Sequence, residues 1–468
     1  MHIQFLGAAR TVTGSCYLIH VNNQSLLLEC GLYQGKREES YEKNRNFNFF
    51  EPAKIDAVIL SHAHIDHSGN LPNLVKQGYN GPIYGTNGTV ALVDIMLMDS
   101  GHIQECDVQF VNKKRAKHGL PPVEPIYTQE DSAAVKPHLV GKDYEEPFHP
   151  INGVTARLIE AGHILGSAAV RLDIEENGKH TSLWFSGDIG RPNMPLLRDP
   201  VLPEDVDYLM MECTYGDKPH RDPEEAFTEF RDVVARTYKK GGKVIIPAFA
   251  VGRTQELVYF LHQMNRRRLI PSIPVYVDSP LAVAASDVFL KFTDYFDEET
   301  SRFVANGSHP ALNFEKLTYI RSLDESKALN ERHEPMIIIS ASGMAESGRI
   351  LHHLRNNIED PRNTILIVSW QSPDTLGRRL ADRVREVKIF GEVFQRKADI
   401  ATIGGLSAHA GQDMLLRYAL NVKKTARRII LVHGEPPAAE AFRQKLREEG
   451  GTPTFYPNLG EAVEIVPV

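Results

Sequence analysis

The chain has 468 residues, which excludes a single hydrophobic core and predicts two or three domains. Hydrophobic residues make up 42% of the chain and charged residues 24%, as in ordinary globular proteins, and the sequence has no low-complexity tract. The formal net charge of −7 does not indicate a nucleic-acid binder, but acidic metal ligands would lower this sum, so it decides little.

Cysteine usage and hydropathy predict a cytoplasmic protein. The four cysteines are scattered without a CxxC pair, which predicts neither a disulfide framework nor a thiolate zinc site and fits a reducing compartment. The N-terminal segment MHIQFLGAAR is typical of a strand and not of a secretion leader. No uninterrupted apolar stretch approaches the length that spans a membrane.

Short strands joined by glycine and asparagine turns fill the first 60 residues. The expected strands are His2–Leu6, Cys16–Val21, Ser25–Leu28 and Ile55–Leu60. Glu29 ends the third strand, and we expect its carboxylate to brace the loop that follows the fourth strand.

That loop, SHAHIDHSG over residues 61–69, concentrates metal-binding side chains. His62, His64, Asp66 and His67 lie within six positions, directly after an apolar strand. His62 and His64 are two apart and so point the same way, whereas Asp66 and His67 begin a predicted helix that runs toward Leu74 and Val75. Imidazole and carboxylate together suit zinc or a similar ion, and one ion cannot easily take all four groups. The spacing predicts two metals side by side, and the alternative is a polar surface turn.

Two further candidates stand on glycine-flanked turns after later strands. The segment 84–120 before them is interpreted as mixed helix and loop, in which we expect His102 to be structural or exposed. His163 in EAGHILGS and Asp188 in SGDIG each follow a predicted strand, and the glycines beside Asp188 indicate a close backbone approach. Either residue alone would be ambiguous, but with the first cluster they supply a fifth and a sixth ligand.

From about residue 213 the pattern changes to a repeated unit of strand, loop and helix. The strands that begin these units are Lys243–Pro247, Val275–Val277, Met336–Ile339 and Ile365–Val368. Four such units predict a parallel sheet covered by helices, with ligands at the carboxyl ends of the strands.

The strand pattern of the first domain is predicted to return at residues 398–403. It is followed by LSAHAG, with His409, and by LVHGE, with His433. The sequence therefore predicts a first domain over residues 1–212 and 396–468, with a second domain inserted over 213–395.

The order of these motifs resembles the metallo-β-lactamase superfamily and, more narrowly, its β-CASP ribonucleases. The motifs cover nearly the whole chain and are HAHIDHSG, AGHILGSA, SGDIG, ECTYGD, PAFAVGRTQEL, LSAHAG and LVHGE. The first three recur across the superfamily, whereas the last two and ECTYGD, around a long insertion, are specific to β-CASP members. The resemblance implies an α/β fold, an αββα metallo-β-lactamase sandwich with an inserted β-CASP domain built on a parallel sheet flanked by helices.

The resemblance also implies two zinc ions per chain and roles for particular residues. One zinc would be bound by His62, His64 and His163, the other by Asp66, His67 and His433, and Asp188 would bridge the two. A hydroxide activated by both metals would attack phosphorus, oriented by Asp66, and His409 paired with Glu212 would protonate the leaving oxygen. The alternative for His409 is a satisfied core histidine.

One residue departs from the family pattern, because Glu29 stands where the family usually has aspartate. The extra methylene moves a supporting carboxylate by about 1 Å, a displacement large enough to affect the geometry of a catalytic site. All seven direct ligands remain.

Polar groups at strand ends of the inserted domain are candidates for holding RNA phosphates in the cleft between the domains. Ser340, Ser342 and Gly343 are expected to precede a helix whose amides bind a phosphate, and Arg253 and Gln371 lie after other strands of the inserted domain. The alternatives are ordinary helix caps for the serines and a solvated side chain for the arginine.

The resemblance implies a zinc-dependent ribonuclease that hydrolyses single-stranded RNA as an endonuclease, a 5′-3′ exonuclease or both. A DNA nuclease of the same family is the alternative, because backbone hydrolysis does not need a contact to the 2′-OH. A small-molecule hydrolase would not need the inserted domain, and an RNA-binding scaffold would not need an intact ligand set. No membrane partner is expected. Base preference, the ion used in the cell and the oligomeric state, including a homodimer, are left open.

Overall fold

A computed structural model describes residues 1–306, 310–372 and 374–466. The chain divides into two compact units. The first comprises Met1–Pro192, Asp199–Pro219 and His409–Val468, and the second comprises Asn193–Arg198 and His220–Ala408.

The strands and helices are numbered here in chain order. The strands are β1 His2–Phe5, β2 Tyr17–Val21, β3 Gln24–Leu28, β4 Ala57–Ile59, β5 Ile83–Thr86, β6 Leu139–Lys142, β7 Val154–Glu160, β8 Ala168–Glu176, β9 Lys179–Phe185, β10 Tyr208–Glu212, β11 Val244–Pro247, β12 Val275–Val277, β13 Leu317–Tyr319, β14 Ile337–Ser340, β15 Thr364–Ile367, β16 Glu386–Ile389, β17 Glu392–Gln395, β18 Asp399–Thr402, β19 Arg428–Val432, β20 Thr454–Phe455 and β21 Ala462–Glu464. The α-helices are α1 Arg37–Arg45, α2 Ile65–Ser68, α3 Leu71–Lys76, α4 Asn87–Lys117, α5 Gln129–Ala133, α6 Pro223–Lys239, α7 Arg253–Arg266, α8 Pro280–Phe289, α9 Glu298–Ala305, α10 Leu323–Glu331, α11 Ile350–Asn357, α12 Leu376–Ala381, α13 Gln412–Asn421 and α14 Pro436–Glu448.

The first unit is a sandwich of two sheets with helices on the outer faces. One sheet has the order β21-β1-β2-β3-β4-β5-β6, and the other has the order β20-β19-β10-β9-β8-β7. Side chains alternate along each strand, so Leu183 and Phe185 of β9 join the core between the sheets, while Trp184 joins a second core under α13 and α14. Burial on both faces explains why these strands are continuous apolar runs.

Strand direction brings several loops to one edge of this sandwich. In the second sheet β9, β10 and β19 are parallel neighbours, and β7 runs in the same direction because β8 is antiparallel to both β7 and β9. The loops after these four strands therefore lie at the same edge of their sheet. The segments that carry His163, Asp188 and His433 are three of them, and Glu212 is the last residue of β10.

The second unit is built on a six-stranded sheet with the order β13-β12-β14-β11-β15-β18. Every described pairing in this sheet is parallel, and helices cover it, as the repeated strand-loop-helix pattern predicts. Ile338 and Ile365 from the strands pack with Leu354 of α11 in its core. β16 and β17 form a separate antiparallel hairpin.

Three expectations about the elements are wrong. Residues 398–403 do not return to the first domain, because β18 adds to the parallel sheet of the second unit beside β15, and that unit ends at Ala408. Residues 87–117 form one continuous helix, in which His102 is exposed, and not mixed helix and loop. The helix after His67 is interrupted, since α2 ends at Ser68 and α3 begins at Leu71.

Within the part of the chain that the structure describes, no helix combines the length and the apolar character needed to cross a bilayer.

Candidate metal centre

Three histidines and one carboxylate oxygen converge at the edge of the first unit. His64 Nδ1 lies 3.1 Å from His62 Nε2 and 3.2 Å from His163 Nε2. Asp188 Oδ2 lies 3.5 Å from Nε2 of His62 and 3.5 Å from Nε2 of His163. Four donors at the corners of a tetrahedron around zinc, with bonds of about 2.0–2.1 Å, are about 3.3 Å apart. The group therefore has the size of one tetrahedral site.

A second group of donors faces the other oxygen of the same carboxylate. Asp188 Oδ1 lies 3.4 Å from His67 Nε2. Asp66 Oδ2 lies 3.4 Å from His433 Nε2 and 3.8 Å from His67 Nε2. The two oxygens of Asp188 thus face two different sets of donors, which is the arrangement of a bridging ligand.

Close backbone packing holds the loops of this centre together. A side-chain carbon at Gly187 would lie 2.5 Å from Cβ of Ser61, and one at Gly190 would lie 1.9 Å from the carbonyl oxygen of Gly162. The glycines beside Asp188 therefore permit the approach of the loops that carry His62 and His163. The prediction that backbone comes close at SGDIG is confirmed.

Hydrogen bonds to the Nδ1 atoms fix which nitrogen three of the histidines present. Glu29 accepts from His67 Nδ1 at 2.6 Å and also from the Ser61 hydroxyl. Since that hydroxyl proton is used by Glu29, the Ser61 oxygen accepts from His62 Nδ1 at 2.9 Å. Thr214 likewise donates to the His433 carbonyl and accepts from its Nδ1. Each ring is left with an unprotonated Nε2 toward the centre.

Burial and charge favour the ligand forms of these groups. Burial, with charge repulsion from the other histidines, lowers the pKa of His62 and His163 well below the usual value, and burial lowers the pKa of His64 to about 4. Burial alone would also lower the pKa of His67, but the carboxylates of Asp188 and Asp66 outweigh it and raise that pKa. A cation at His67 Nε2 would take the place of the proton that these carboxylates attract.

The centre passes a direct test of fit for metal ions. His67 Nε2 and Asp188 Oδ1 are buried without a well-formed hydrogen bond to any residue in the described ranges. Leaving such atoms unsatisfied costs about 1–3 kcal/mol each, and a cation between them removes that cost. The donors are neutral imidazoles and carboxylates, which suit zinc. All seven expected ligand residues are brought together.

Beside the ligands, a buried carboxylate pairs with a partly exposed histidine. The Glu212 carboxylate is fully buried, accepts from the Ile189 amide at 2.6 Å, and lies 3.2 Å from His409 Nδ1 through both oxygens. Burial alone would lower the pKa of His409, but Glu212 and Asp188 outweigh it and raise that pKa to about 9. Bound cations would oppose this rise. The expected pairing of His409 with Glu212 is present in the structure.

Sequence reasoning missed three supporting hydroxyl residues. Ser61 and Thr214 orient His62 and His433, and the Ser167 hydroxyl oxygen accepts from the backbone amide of His163 at 2.9 Å. All three lie inside the quoted motifs, directly before, two residues after or four residues after a candidate residue. Their position close to candidate residues was the signal by which the sequence could have identified them.

The structure gives most of the expected phosphate-binding groups other partners, which corrects that expectation. The Ser340 hydroxyl donates to the Asp278 carbonyl, and the buried Gln371 amide donates to the Gly343 and Ser369 carbonyls. Arg253 is buried and pairs with Glu256.

The loop after β14 also differs from its expected form. α11 begins at Ile350, so Ser342 and Gly343 do not directly precede a helix. The Ser342 hydroxyl oxygen accepts from the Glu346 amide. The expectation that these residues directly precede a helix is therefore wrong, and phosphate binding at this loop loses that support.

The buried ion pair between Arg253 and Glu256 predicts a structural effect of Arg253→Ala. Glu256 would keep its buried charge and lose its ion pair with Arg253, and breaking a buried ion pair costs about 3–5 kcal/mol, so the thermal unfolding midpoint should fall. Adding Glu256→Gln removes that charge and should recover part of the loss. Scanning calorimetry of the two variants and the wild type measures both effects. A fully stable Arg253→Ala protein with a salt-dependent loss of RNA binding would instead restore the phosphate-binding prediction.

Three family profiles match the chain in succession. Residues 9–170 match the metallo-beta-lactamase superfamily, residues 254–380 match the Beta-Casp domain, and residues 394–457 match the Zn-dependent metallo-hydrolase RNA specificity domain. The first match lies in the first unit and the second match in the second unit. The third match begins in the second unit and continues into the C-terminal part of the first.

Similar proteins extend over nearly the whole chain. Ribonuclease TTHA0252 of Thermus thermophilus is 37% identical over 99% of this chain and 100% of its own. Proteins named transcription termination factor FttA are 30% identical in Methanocaldococcus jannaschii and 31% in Pyrococcus abyssi, over 99% of this chain and 72% and 71% of theirs. A crystal structure of a protein of unknown function from Enterococcus faecalis V583 has a TM-score of 0.56 at 13% identity, covering 99% of both chains, and supports the fold alone.

Proposed function

The chain belongs to the β-CASP ribonucleases of the metallo-β-lactamase superfamily and is a metal-dependent nuclease, and from that premise we propose that it hydrolyses phosphodiester bonds of single-stranded RNA with two zinc ions. The observation that carries the proposal is the Asp188 carboxylate, whose two oxygens face two separate sets of donors. One ion cannot use both sets, since a single tetrahedral ion takes four ligands.

The proposed ligands divide between the two ions. His62, His64 and His163 would hold one ion, Asp66, His67 and His433 would hold the other, and Asp188 would bridge them. When bound, two neighbouring metal ions lower the pKa of water, so that hydroxide is available near neutral pH, and they stabilise charge on the phosphate.

The remaining residues position groups and move a proton. Asp66 is the more exposed of the two ligand carboxylates, with 24% of its side chain accessible against 2% for Asp188, so it can orient an attacking water molecule. Glu212 holds His409 through Nδ1, which leaves Nε2 to carry the proton that the leaving oxygen needs. Glu29 acts through His67 and Ser61 and keeps the first loop in place.

RNA is favoured over DNA by two of the comparisons. The profile over residues 394–457 is an RNA specificity domain, and one relative over the full length is named a ribonuclease. DNA remains the second candidate substrate, because the metal chemistry acts on the phosphate and needs no 2′-hydroxyl.

A cleavage assay tests the proposal. The zinc-loaded protein is incubated with 5′-labelled single-stranded RNA and with DNA of the same sequence, with and without a chelator. We expect cleavage of RNA that the chelator abolishes and added zinc restores. Cleavage of DNA alone would move the assignment to the second candidate, and no cleavage of either by fully loaded protein would reject nuclease activity. Product lengths show whether cutting is internal or proceeds from the 5′ end.

A further inference from the structure

Two exposed aromatic side chains mark one edge of the sheet in the second unit. Phe249 follows β11 and Trp370 follows β15, and their side chains are 42% and 53% exposed. Neither residue has a role in the chemistry proposed above. Single exposed apolar residues are ordinary, whereas a contiguous exposed apolar patch marks a binding surface, so the relative placement of these two residues matters.

The strand order places these two residues on the loops after neighbouring strands. β11 and β15 are parallel neighbours, paired at Val244 with Thr364 and at Ile245 with Ile365. Phe249 and Trp370 follow the carboxyl ends of these strands by two and three residues. Neighbouring strands are about 4.8 Å apart, so the two loops that carry these residues leave the sheet at the same edge.

The Phe249 ring is held in place by the loop after β14, the other neighbour of β11. A side-chain carbon at Gly343 would lie 3.0 to 3.1 Å from three ring atoms of Phe249, so the glycine lets the ring pack closely against this backbone. The ring rests on this backbone and still leaves much of its surface exposed.

The Trp370 turn is tied to the same loop. The Gln371 side-chain amide donates to the Gly343 carbonyl at 3.0 Å and to the Ser369 carbonyl at 3.1 Å. Gly343 therefore supports Phe249 directly and Trp370 through Gln371. Contacts that hold two exposed aromatic side chains in place before binding reduce the conformational freedom that they lose when a flat ligand stacks on them.

We propose that Phe249 and Trp370 form a stacking platform for bases of single-stranded RNA. This rests on the proposed function and deepens it, since it assigns the substrate's bases, and not its phosphates, to this edge. Every base has a π-face, so stacking on aromatic side chains binds single strands with little sequence preference. Gly343 and Gln371, expected to bind phosphate, act instead as the support of the platform.

Tryptophan fluorescence gives a signature of stacking. The chain has two tryptophans, and the other one, Trp184, is fully buried and donates to the Tyr418 hydroxyl at 2.6 Å. Adding RNA to the zinc-loaded protein in a stopped-flow instrument should quench Trp370 emission before cleavage. Trp370→Phe should remove this quench. A quench that persists in Trp370→Phe, or no quench with RNA that is being cleaved, would overturn the platform.

Kinetics provide the second readout. Trp370→Ala and Phe249→Ala should each raise KM for single-stranded RNA by about 5- to 150-fold, the worth of one stacked base, with a much smaller change in kcat. Trp370→Phe should restore most of the loss because it keeps an aromatic face. Phe390→Ala is the matched control, since Phe390 is 51% exposed but lies outside this edge, between β16 and β17.

An RNA without bases separates stacking from a structural role. If the aromatic side chains contact bases, the KM penalty of both alanine variants should shrink on abasic RNA of the same length. An equal penalty on both RNAs, or variants that match Phe390→Ala, would overturn the platform while leaving the ribonuclease assignment in place. Loss of RNA cleavage by the wild type itself would instead reject the proposed function.

Discussion

Asp188→Ala should release both metal ions and reduce RNA cleavage below detection. Each oxygen of this carboxylate faces one set of donors, at 3.5 Å from His62 and His163 and at 3.4 Å from His67. Removing it takes a ligand from both sites and leaves the buried histidines without the charge that compensates the cations. Metal analysis of zinc-supplemented protein should give about two ions per chain for the wild type and none for the variant.

Asp173→Ala is a suitable control, because this carboxylate pairs with Arg171 on β8 and lies outside the centre. It should keep both ions and full activity. Retention of one ion by Asp188→Ala would show that Asp188 serves a single site, and a wild type that binds only one ion would reject the dinuclear centre. Thermal unfolding of metal-free wild type and variant separates loss of ligands from loss of the fold.

His409→Ala should reduce cleavage by about 10²–10⁴-fold, the usual worth of a general acid, while both metals remain bound. The residue is proposed to give a proton to the leaving oxygen and not to hold an ion. Its ring lies 3.2 Å from Glu212, outside the two sets of ligand donors. Metal analysis alongside single-turnover cleavage measures both properties, and His102→Ala, an exposed histidine on α4, is the control. Loss of metal together with activity would make His409 a ligand.

Glu212→Gln tests how the Glu212 carboxylate sets the pKa of His409, the proposed proton donor. Against the effect of burial, the carboxylates of Glu212 and Asp188 raise the pKa of His409 to about 9, so removing the charge of Glu212 should lower that pKa. The protonated donor would then be lost at lower pH, and the basic limb of the rate profile should move toward neutral pH. A basic limb that does not move would show that His409 is not the proton donor.

The sequence determined the chemistry of the centre because ligand type and strand ends are local features. His62, His64, Asp66 and His67 follow one apolar strand within six positions, and no folding information is needed to see that such a set suits metal. The strand-loop-helix units after residue 213 likewise predicted a parallel sheet from their own periodicity, and the structure confirms it.

Only the tertiary structure decided how these parts are connected. β18 has the same local pattern as a strand of the first domain, but its hydrogen bonds to β15 place it in the second unit. Ser340 and Gln371 look available at strand ends, yet both are buried and bonded within the sheet edge, while Trp370, one residue away, is exposed. Residue type and spacing report what a side chain can do. The partner that takes up its hydrogen bonds depends on which strands become neighbours, and those contacts join residues far apart in the chain.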